Sequence, residues 1–205
     1  MSRKIVWLTL GLLLAALVSS TALAAPVKNI GKIVDNLWGS DITAGELLQL
    51  TWPDLLTTLP QSVWNTKVTW GESEMVFQRK EAVTVKNVGE SKQVESLFIY
   101  VNCTNAISAS GRNVYFGASN TVITPPFLLM PYMSVSAELN EIGGFQVGFT
   151  TDDGYDVWRV TTNDTADVEG QASYQTVSYH YAVAPAGYDP PTQFTVRESP
   201  TIWVP

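Results

Sequence analysis

The sequence predicts an all-β protein, an antiparallel β-sandwich that follows a short N-terminal leader. Beyond the leader the chain is rich in Val, Thr, Tyr, Trp and Phe and poor in Lys, Glu and Ala, which is the composition of strands. Runs in which apolar and polar residues alternate recur along the chain. Glycine, asparagine and aspartate turn signals separate these runs, and many short strands at such intervals are typical of a sandwich.

Residues 1–24 have the pattern of a secretory signal peptide. Arg3 and Lys4 give a basic start, residues 5–18 are almost wholly apolar, and Ala22-Leu23-Ala24 forms a small-residue exit. The apolar run is too short to cross a bilayer comfortably. We therefore expect cleavage after this exit and a secreted, extracellular chain that keeps no attachment to the membrane.

Residues 25–38 form an N-terminal arm whose conformation the sequence leaves open. Its apolar residues at helical spacing are Val27, Ile30, Val34 and Leu37. Gly31 opposes a helix, because glycine weakens helix interiors. An extended strand would instead place Val27 and Ile33 on one face.

Residues 39–205 form the predicted sandwich domain. Strands are expected at residues 67–70, 81–86, 94–101, 134–139, 145–149, 155–160 and 174–183. Turns are expected at Gly71, residues 87–89, Gly143-Gly144, Asp153-Gly154 and Asn163-Asp164. A helix of one turn at most fits between Pro53 and Pro60.

Charge and cysteine content exclude some classes of partner and crosslink. The net charge is −7, and loss of Arg3 and Lys4 with the leader makes it more negative. Nucleic acid binding needs a basic surface, so nucleic acid is not an expected partner. Cys103 is the only cysteine, which excludes an internal disulfide. A small buried residue is the expected role of Cys103, and a crosslink between two chains is the alternative.

The sequence carries no recognisable catalytic motif, and we expect no enzymatic activity. His180 is the only histidine, whereas a zinc hydrolase of the H-E-x-x-H type needs two. No G-x-S-x-G nucleophile elbow and no phosphate-binding loop occur in the chain. Because His180 lies in a predicted strand, we interpret it as a packed or surface side chain.

One acidic segment is a candidate site for a metal ion, and two asparagines are candidate sites for attachment of sugar. Asp152, Asp153 and Asp156 offer hard oxygen ligands for calcium, although an Asp-Asp-Gly sequence also makes an ordinary tight turn. Asn102 and Asn163 each begin an N-x-Thr sequence for N-glycosylation. Asn163 is the better candidate, because its surroundings are typical of a turn.

Three segments resemble the TasA/camelysin family of secreted biofilm-fibre proteins. Residues 44–50, Ala-Gly-Glu-Leu-Leu-Gln-Leu, are similar to the family's Ala-Gly-Thr-Leu-Asp-Leu start, with Glu46 and Gln49 as departures. Residues 81–101 resemble its strand, turn and strand element, and residues 174–184 resemble its closing strand. A metalloprotease activity is attributed to camelysin. Because this chain has a single histidine, we do not expect that activity here.

The resemblance implies a jelly-roll-like sandwich that polymerises with copies of itself. Archaeal relatives, among them bundling pili and calcium-dependent cannulae, join subunits by donor-strand complementation, in which one subunit's N-terminal segment completes its neighbour's sheet. We therefore expect an extracellular pilus or matrix-fibre subunit. Val27, Ile30 and Ile33 are the candidate plugs of the donor strand. Packing of the arm within its own subunit is the alternative.

Two further functions remain open from the sequence. A monomeric secreted binding module, for carbohydrate or another surface, is one of them, because aromatic residues are abundant and aromatic surfaces bind sugars. The mature chain would carry Trp38, Trp52, Trp64, Trp70, Trp158 and Trp203. The other is a calcium-dependent tube subunit of the cannula type, in which case calcium would be a ligand.

Overall fold

The computed structural model describes residues 30–80, 98–125 and 128–205. Two β-sheets pack face to face, and a layer of short helices covers the outer face of one sheet. The predicted all-β sandwich is therefore confirmed. None of the helices in these ranges has the length and apolar character needed to cross a membrane.

The helices precede the strands in the described chain. They are α1 (Ile30–Leu37), α2 (Ala44–Thr51), α3 (Leu55–Thr58) and a 3-10 helix (Gln61–Asn65). The strands are β1 (Val68–Trp70), β2 (Glu74–Arg79), β3 (Phe98–Ser110), β4 (Asn113–Thr124), β5 (Met130–Glu141), β6 (Gln146–Val157), β7 (Arg159–Asp167), β8 (Ala172–Val183), β9 (Tyr188–Asp189), β10 (Thr192–Glu198) and β11 (Ile202–Val204).

The two sheets are joined at both sides by short connections. The first sheet has the order β1-β10-β8-β5-β6, with β11 also paired to β8, and the second has the order β7-β4-β3-β2-β9. All described pairs are antiparallel except β1 with β10. Residues 71–73 cross between the sheets on one side and Trp158 crosses on the other. These crossings place β6 and β7 side by side as the final strands of their sheets.

Two hydrophobic cores share the first sheet. The core between the sheets includes Met75, Phe77, Ile99, Met133 and Leu139. The core between the first sheet and the helices includes Leu47, Leu48, Tyr179, Tyr181 and Phe194. Strands β5 and β8 are consequently buried on both faces, because successive side chains point to opposite sides of a sheet.

Helix α2 begins with a capping box that the sequence analysis did not use. The Thr43 hydroxyl accepts a hydrogen bond from the Glu46 N–H at 3.2 Å, and the Glu46 carboxylate accepts one from the Thr43 N–H at 2.8 Å. The bond from the Thr43 N–H, together with a bond of 3.0 Å from the Thr43 hydroxyl, lowers the pKa of the Glu46 carboxylate. The Thr-x-x-Glu spacing before two leucines was the sequence signal for this helix.

The structure confirms several predicted elements and corrects two turns and one strand. The single strand expected at residues 155–160 is divided between β6 and β7, because the chain crosses between the sheets at Trp158. The strands expected at residues 67–70, 134–139 and 174–183, the turns at Gly71 and Gly143-Gly144, and the short helix before Pro60 are present. The predicted turns at Asp153-Gly154 and Asn163-Asp164 are wrong, because β6 and β7 run through them. Both are edge strands with solvent-exposed positions, where polar turn-forming residues are tolerated. Of the element predicted at residues 81–101, residues 81–97 lie outside the described residues, and residues 98–101 begin β3.

Candidate functional site

The side of the sandwich formed by β6 and β7 is an open edge. Among the described residues, β6 pairs only with β5, and β7 pairs only with β4. The two edge strands touch through the Thr150 and Thr162 hydroxyls, which lie 2.6 Å apart. Half of the positions of β6 and most of those of β7 are exposed. Within the described ranges, no strand pairs with the side of β6 that points away from β5, along a strand of 12 residues.

Exposed apolar side chains accompany the open edge. Phe145, immediately before β6, is 57% exposed, Val147 is 39% exposed and Tyr155 is 68% exposed. The Tyr155 ring also lies against Tyr132 of β5, with centroids 4.8 Å apart. A long edge strand that carries exposed apolar side chains is a template for pairing with another chain.

The opposite side of the sandwich is covered by the chain itself. Residues just before α2 run along β1: the Val68 N–H donates to the Ile42 carbonyl at 3.0 Å, and the Ala44 N–H donates to the Thr66 carbonyl at 2.7 Å. On the neighbouring sheet, the Gln193 amide donates to the Val76 carbonyl and β9 pairs with the end of β2. Both sheet edges on this side are at least partly satisfied.

The arm adopts a helix within its own subunit over its described part. In α1, Ile30 is 3% exposed and Val34 is fully buried, and both join the core between helices and sheet. Ile33 is half-buried, and Val27 lies outside the described residues. Of the two conformations that the sequence left open, residues 30–37 have the helical one, which corresponds to the alternative of packing in the same subunit.

A buried carboxylate fastens the helical layer to the sheet near the open edge. Glu138 of β5 is fully buried and accepts hydrogen bonds from the Trp52 indole N–H at 3.2 Å, the Tyr179 hydroxyl at 3.1 Å and the Asn140 amide at 3.1 Å. Burial raises the pKa of Glu138 to about 7, although the three hydrogen bonds oppose this shift. The Trp52 ring also packs on Phe149 of β6, with centroids 4.1 Å apart.

Sequence reasoning missed this cluster because its members are far apart in the chain. Trp52 and Glu138 are separated by 86 residues, and nothing local marks a glutamate within an alternating strand as buried. The strand run that contains Glu138 was predicted, but the helix that covers it was not. The Glu138 side chain is removed from water only when the helical layer packs on this face of β5. Trp52 at the end of α2 donates to it, and Gly31 of α1 lies close to Asn140.

The predicted calcium ligands lie on β6 and do not converge. Asp152 and Asp153 are adjacent strand residues and therefore point to opposite faces of the sheet, and Asp156 is three residues further along. In the described parts of the chain, no group of three or more His, Cys, Asp or Glu side chains is placed to hold a metal ion. Calcium binding stays a prediction without a site in the described residues.

The two sugar-acceptor candidates occupy different environments. Asn102 is half-buried on β3, which has β2 on one side and β4 on the other. Asn163 is exposed on the edge strand β7, rather than in the predicted turn. The structure thus leaves Asn163 as the more accessible acceptor, for a reason different from the predicted one.

His180 and Cys103 are core residues, which is the expected role of Cys103 and one of the two interpretations of His180. His180 is fully buried, and its Nδ1 lies 2.7 Å from the Asn120 side-chain oxygen while its Nε2 lies 2.9 Å from the Ser178 hydroxyl. Burial, aided by the nearby Arg197 charge, lowers the pKa of His180 to about 3. Cys103 is also fully buried, and burial raises the pKa of its thiol to about 12.

A shallow groove of about 320 Å³ crosses the outer face of the second sheet. Its floor is Gly117 of β4, and its wall includes Thr104, Ser119, Asn163 and the exposed ring of Tyr115. Most of its lining residues carry hydroxyl, amide or small apolar side chains, and Asp164 is the charged residue among them. Sequence reasoning did not identify this groove, because its walls come from the β3–β4 hairpin and from β7, which is distant in the chain.

Comparison of the chain with protein-family models, with curated proteins and with solved structures finds no match. The resemblance to the TasA/camelysin family therefore stays a prediction. Any proposed function has to be supported by the open edge, the helical layer and the groove.

Proposed function

We propose that the chain is the structural subunit of an extracellular filament, such as a pilus or matrix fibre, and that it assembles with copies of itself by strand addition. The observation that carries this proposal is the open edge of β6, with its exposed Val147 and Tyr155. An added strand would satisfy the unpaired backbone groups and cover the apolar side chains. A contact between two different surfaces of identical subunits grows a filament when the rotation from one subunit to the next does not close a ring.

The donor in this proposal is the N-terminal arm of a second copy, residues 25–34. Within its own subunit, the described part of the arm is anchored by two buried side chains, Ile30 and Val34. Exposing each would cost roughly 1.5–3 kcal/mol. Backbone pairing along β6 and burial of plugs on the neighbouring copy offset a cost of this size. The self-packed helix is then the form of the arm before assembly.

A charge on the open edge tests the acceptor. Val147→Lys is expected to abolish filaments in electron micrographs of the secreted protein, because lysine on an edge strand opposes pairing. The matched control is Ile123→Lys on β4, a similarly exposed aliphatic residue on a strand with partners on both sides. Normal filaments from Val147→Lys would exclude β6 as the acceptor.

Removal of the arm tests the donor. Deletion of residues 25–34, with the leader kept, is expected to yield secreted subunits that do not form filaments. Circular dichroism would establish that the sandwich remains folded. Persistence of normal fibres in the deletion variant would exclude this arm and leave the α1 helix as a part of the subunit only.

The groove on the second sheet favours one alternative, a monomeric carbohydrate-binding module. Tyr115 is 48% exposed beside hydroxyl and amide groups that are suited to sugars. Size-exclusion chromatography of the mature protein separates the two functions. A stable monomer at high concentration that binds oligosaccharides would support the binding module and contradict the filament subunit.

A further inference from the structure

The groove on the second sheet lies beside a potential sugar-acceptor asparagine. Asn163 of β7 pairs directly with Gly117, the glycine that forms the groove floor. A Cβ atom at Gly117 would lie only 2.5 Å from the Thr162 carbonyl oxygen, so the two backbones approach closely there. The Asn163 side chain is thus held at the rim, over a floor that has no side chain.

An aromatic ring stands next to the same asparagine. Tyr115 pairs with Thr165, and Thr165 lies two residues from Asn163 on the same face of the sheet. Tyr115 is therefore the diagonal neighbour of Asn163, a position within reach of a large side chain or an attached group. Its ring offers an apolar surface for the C–H face of a pyranose, and its exposed position leaves room for one.

Hydroxyl groups complete the surroundings of Asn163. Thr104 and Ser119 share a hydrogen bond of 2.8 Å on the far wall of the groove, and Thr161 lies on the same face of β7. These groups are uncharged donors and acceptors that match sugar hydroxyls. Asn102 has no comparable setting, because it is half-buried on a strand flanked on both sides.

We propose that Asn163 carries an N-linked glycan whose first sugar packs in this groove against Tyr115. The Asn163-Asp164-Thr165 sequence supplies the acceptor, and the groove supplies the surface against which the sugar packs. The proposal rests on the export that the proposed function also requires, but it does not require assembly.

The attachment is a glycosyl transfer from a lipid pyrophosphate-linked saccharide. The Asn163 amide nitrogen forms a bond to the anomeric carbon of the sugar, and the bond from that carbon to the pyrophosphate oxygen breaks. The amide loses one proton, and the lipid pyrophosphate leaves with the bonding electron pair. No oxidation or reduction is involved, and a transferase of the exporting host catalyses the step.

Mass spectrometry of the secreted protein tests attachment. The full chain with its leader is expressed in a host that glycosylates N-x-Ser/Thr sequences, and glycopeptides are compared for the wild type, Asn163→Gln and Asn102→Gln. We expect the added mass to disappear with Asn163→Gln and to remain with Asn102→Gln. An unmodified Asn163 in the wild type would overturn the proposal, whether or not the same protein forms filaments.

A double-mutant cycle tests whether the first sugar packs against Tyr115. In the presence of Tyr115, Asn163→Gln is expected to lower the melting temperature by about 2–4 °C, because the packed sugar is lost. In the Tyr115→Ser background the same change should have no effect. Equal effects in both backgrounds would show that the sugar does not pack against Tyr115. Oligosaccharide binding by a chain whose Asn163 is unmodified would assign the groove to a free sugar and also overturn the proposal.

Discussion

The two sides of the sandwich differ in how their edge strands are treated. On the side of β1 and β2, residues 42–44, Gln193 and β9 cover the edges with groups from the same chain. On the side of β6 and β7, the described chain supplies no further strand. Among the described strands, the difference leaves β6 as a long edge strand without a second partner. On the opposite side, residues 42–44 already pair with the chain around β1.

Trp52 links the two sides. It ends helix α2, whose beginning covers β1, and its side chain contacts Glu138 and Phe149 near the open edge. A change in the helical layer is therefore expected to affect both sides.

The largest effect is expected from Gly45→Val, which should disrupt the covered side. A Cβ atom at Gly45 would lie 2.7 Å from the Trp64 carbonyl oxygen and 2.9 Å from its Cα atom. Because backbone atoms cannot move away easily, we expect a loss of about 4 kcal/mol in the free energy of unfolding. Denaturant titration measures it, and Gln49→Val on the exposed face of the same helix is the control. A loss no larger than that of the control would contradict close packing here.

The second prediction concerns the pH dependence of stability and uses Glu138→Gln. In the folded protein, Glu138 keeps its proton up to about pH 7, against an ordinary value of 4.5. The contribution of Glu138 to the free energy of unfolding is therefore complete below pH 4.5 and is lost as the pH rises through 7. The free energy of unfolding of Glu138→Gln should not show this decrease, so that between pH 4.5 and 8 it should rise by up to about 3 kcal/mol relative to that of the wild type.

Urea titrations between pH 5 and 8 measure the effect of Glu138→Gln. Glu74→Gln, a change at an exposed carboxylate of β2, serves as the control. Parallel pH profiles for the wild type and Glu138→Gln would mean that the carboxyl group is already ionised at low pH. The helical layer would then be fastened by a carboxylate throughout this range.

The smallest effect is expected from Thr43→Ala, which removes the capping box of α2. Loss of such a cap costs about 1 kcal/mol. Because Thr43 also bridges Lys67 beside β1, the variant should exchange the Ala44 and Val68 amide protons faster. Hydrogen exchange followed by nuclear magnetic resonance measures this, with Thr43→Ser as the control that keeps the hydroxyl. Unchanged protection of both amides would mean that the capping box does not stabilise the contacts that cover β1.

Several parts of the fold were predictable from local patterns. The strands that contain residues 134–139 and 174–183 were found, because their alternation fits a half-buried strand even though the helices cover their second face. Helix α2 was predictable in principle from Thr43 and Glu46, since a capping box is a local signal. Cys103 is buried, as expected for a small apolar residue, and His180 is packed in the core rather than on the surface.

Composition and alternation are enough to show that the protein is built from strands, because they act on each segment separately. The remaining features depend on packing between segments. This packing selected a helix for residues 30–37, since Ile30 and Val34 find a core there. It buried Glu138 beneath Trp52, and it left β6 without a second partner among the described strands. These outcomes depend on which distant segments meet, and no local pattern contains that information.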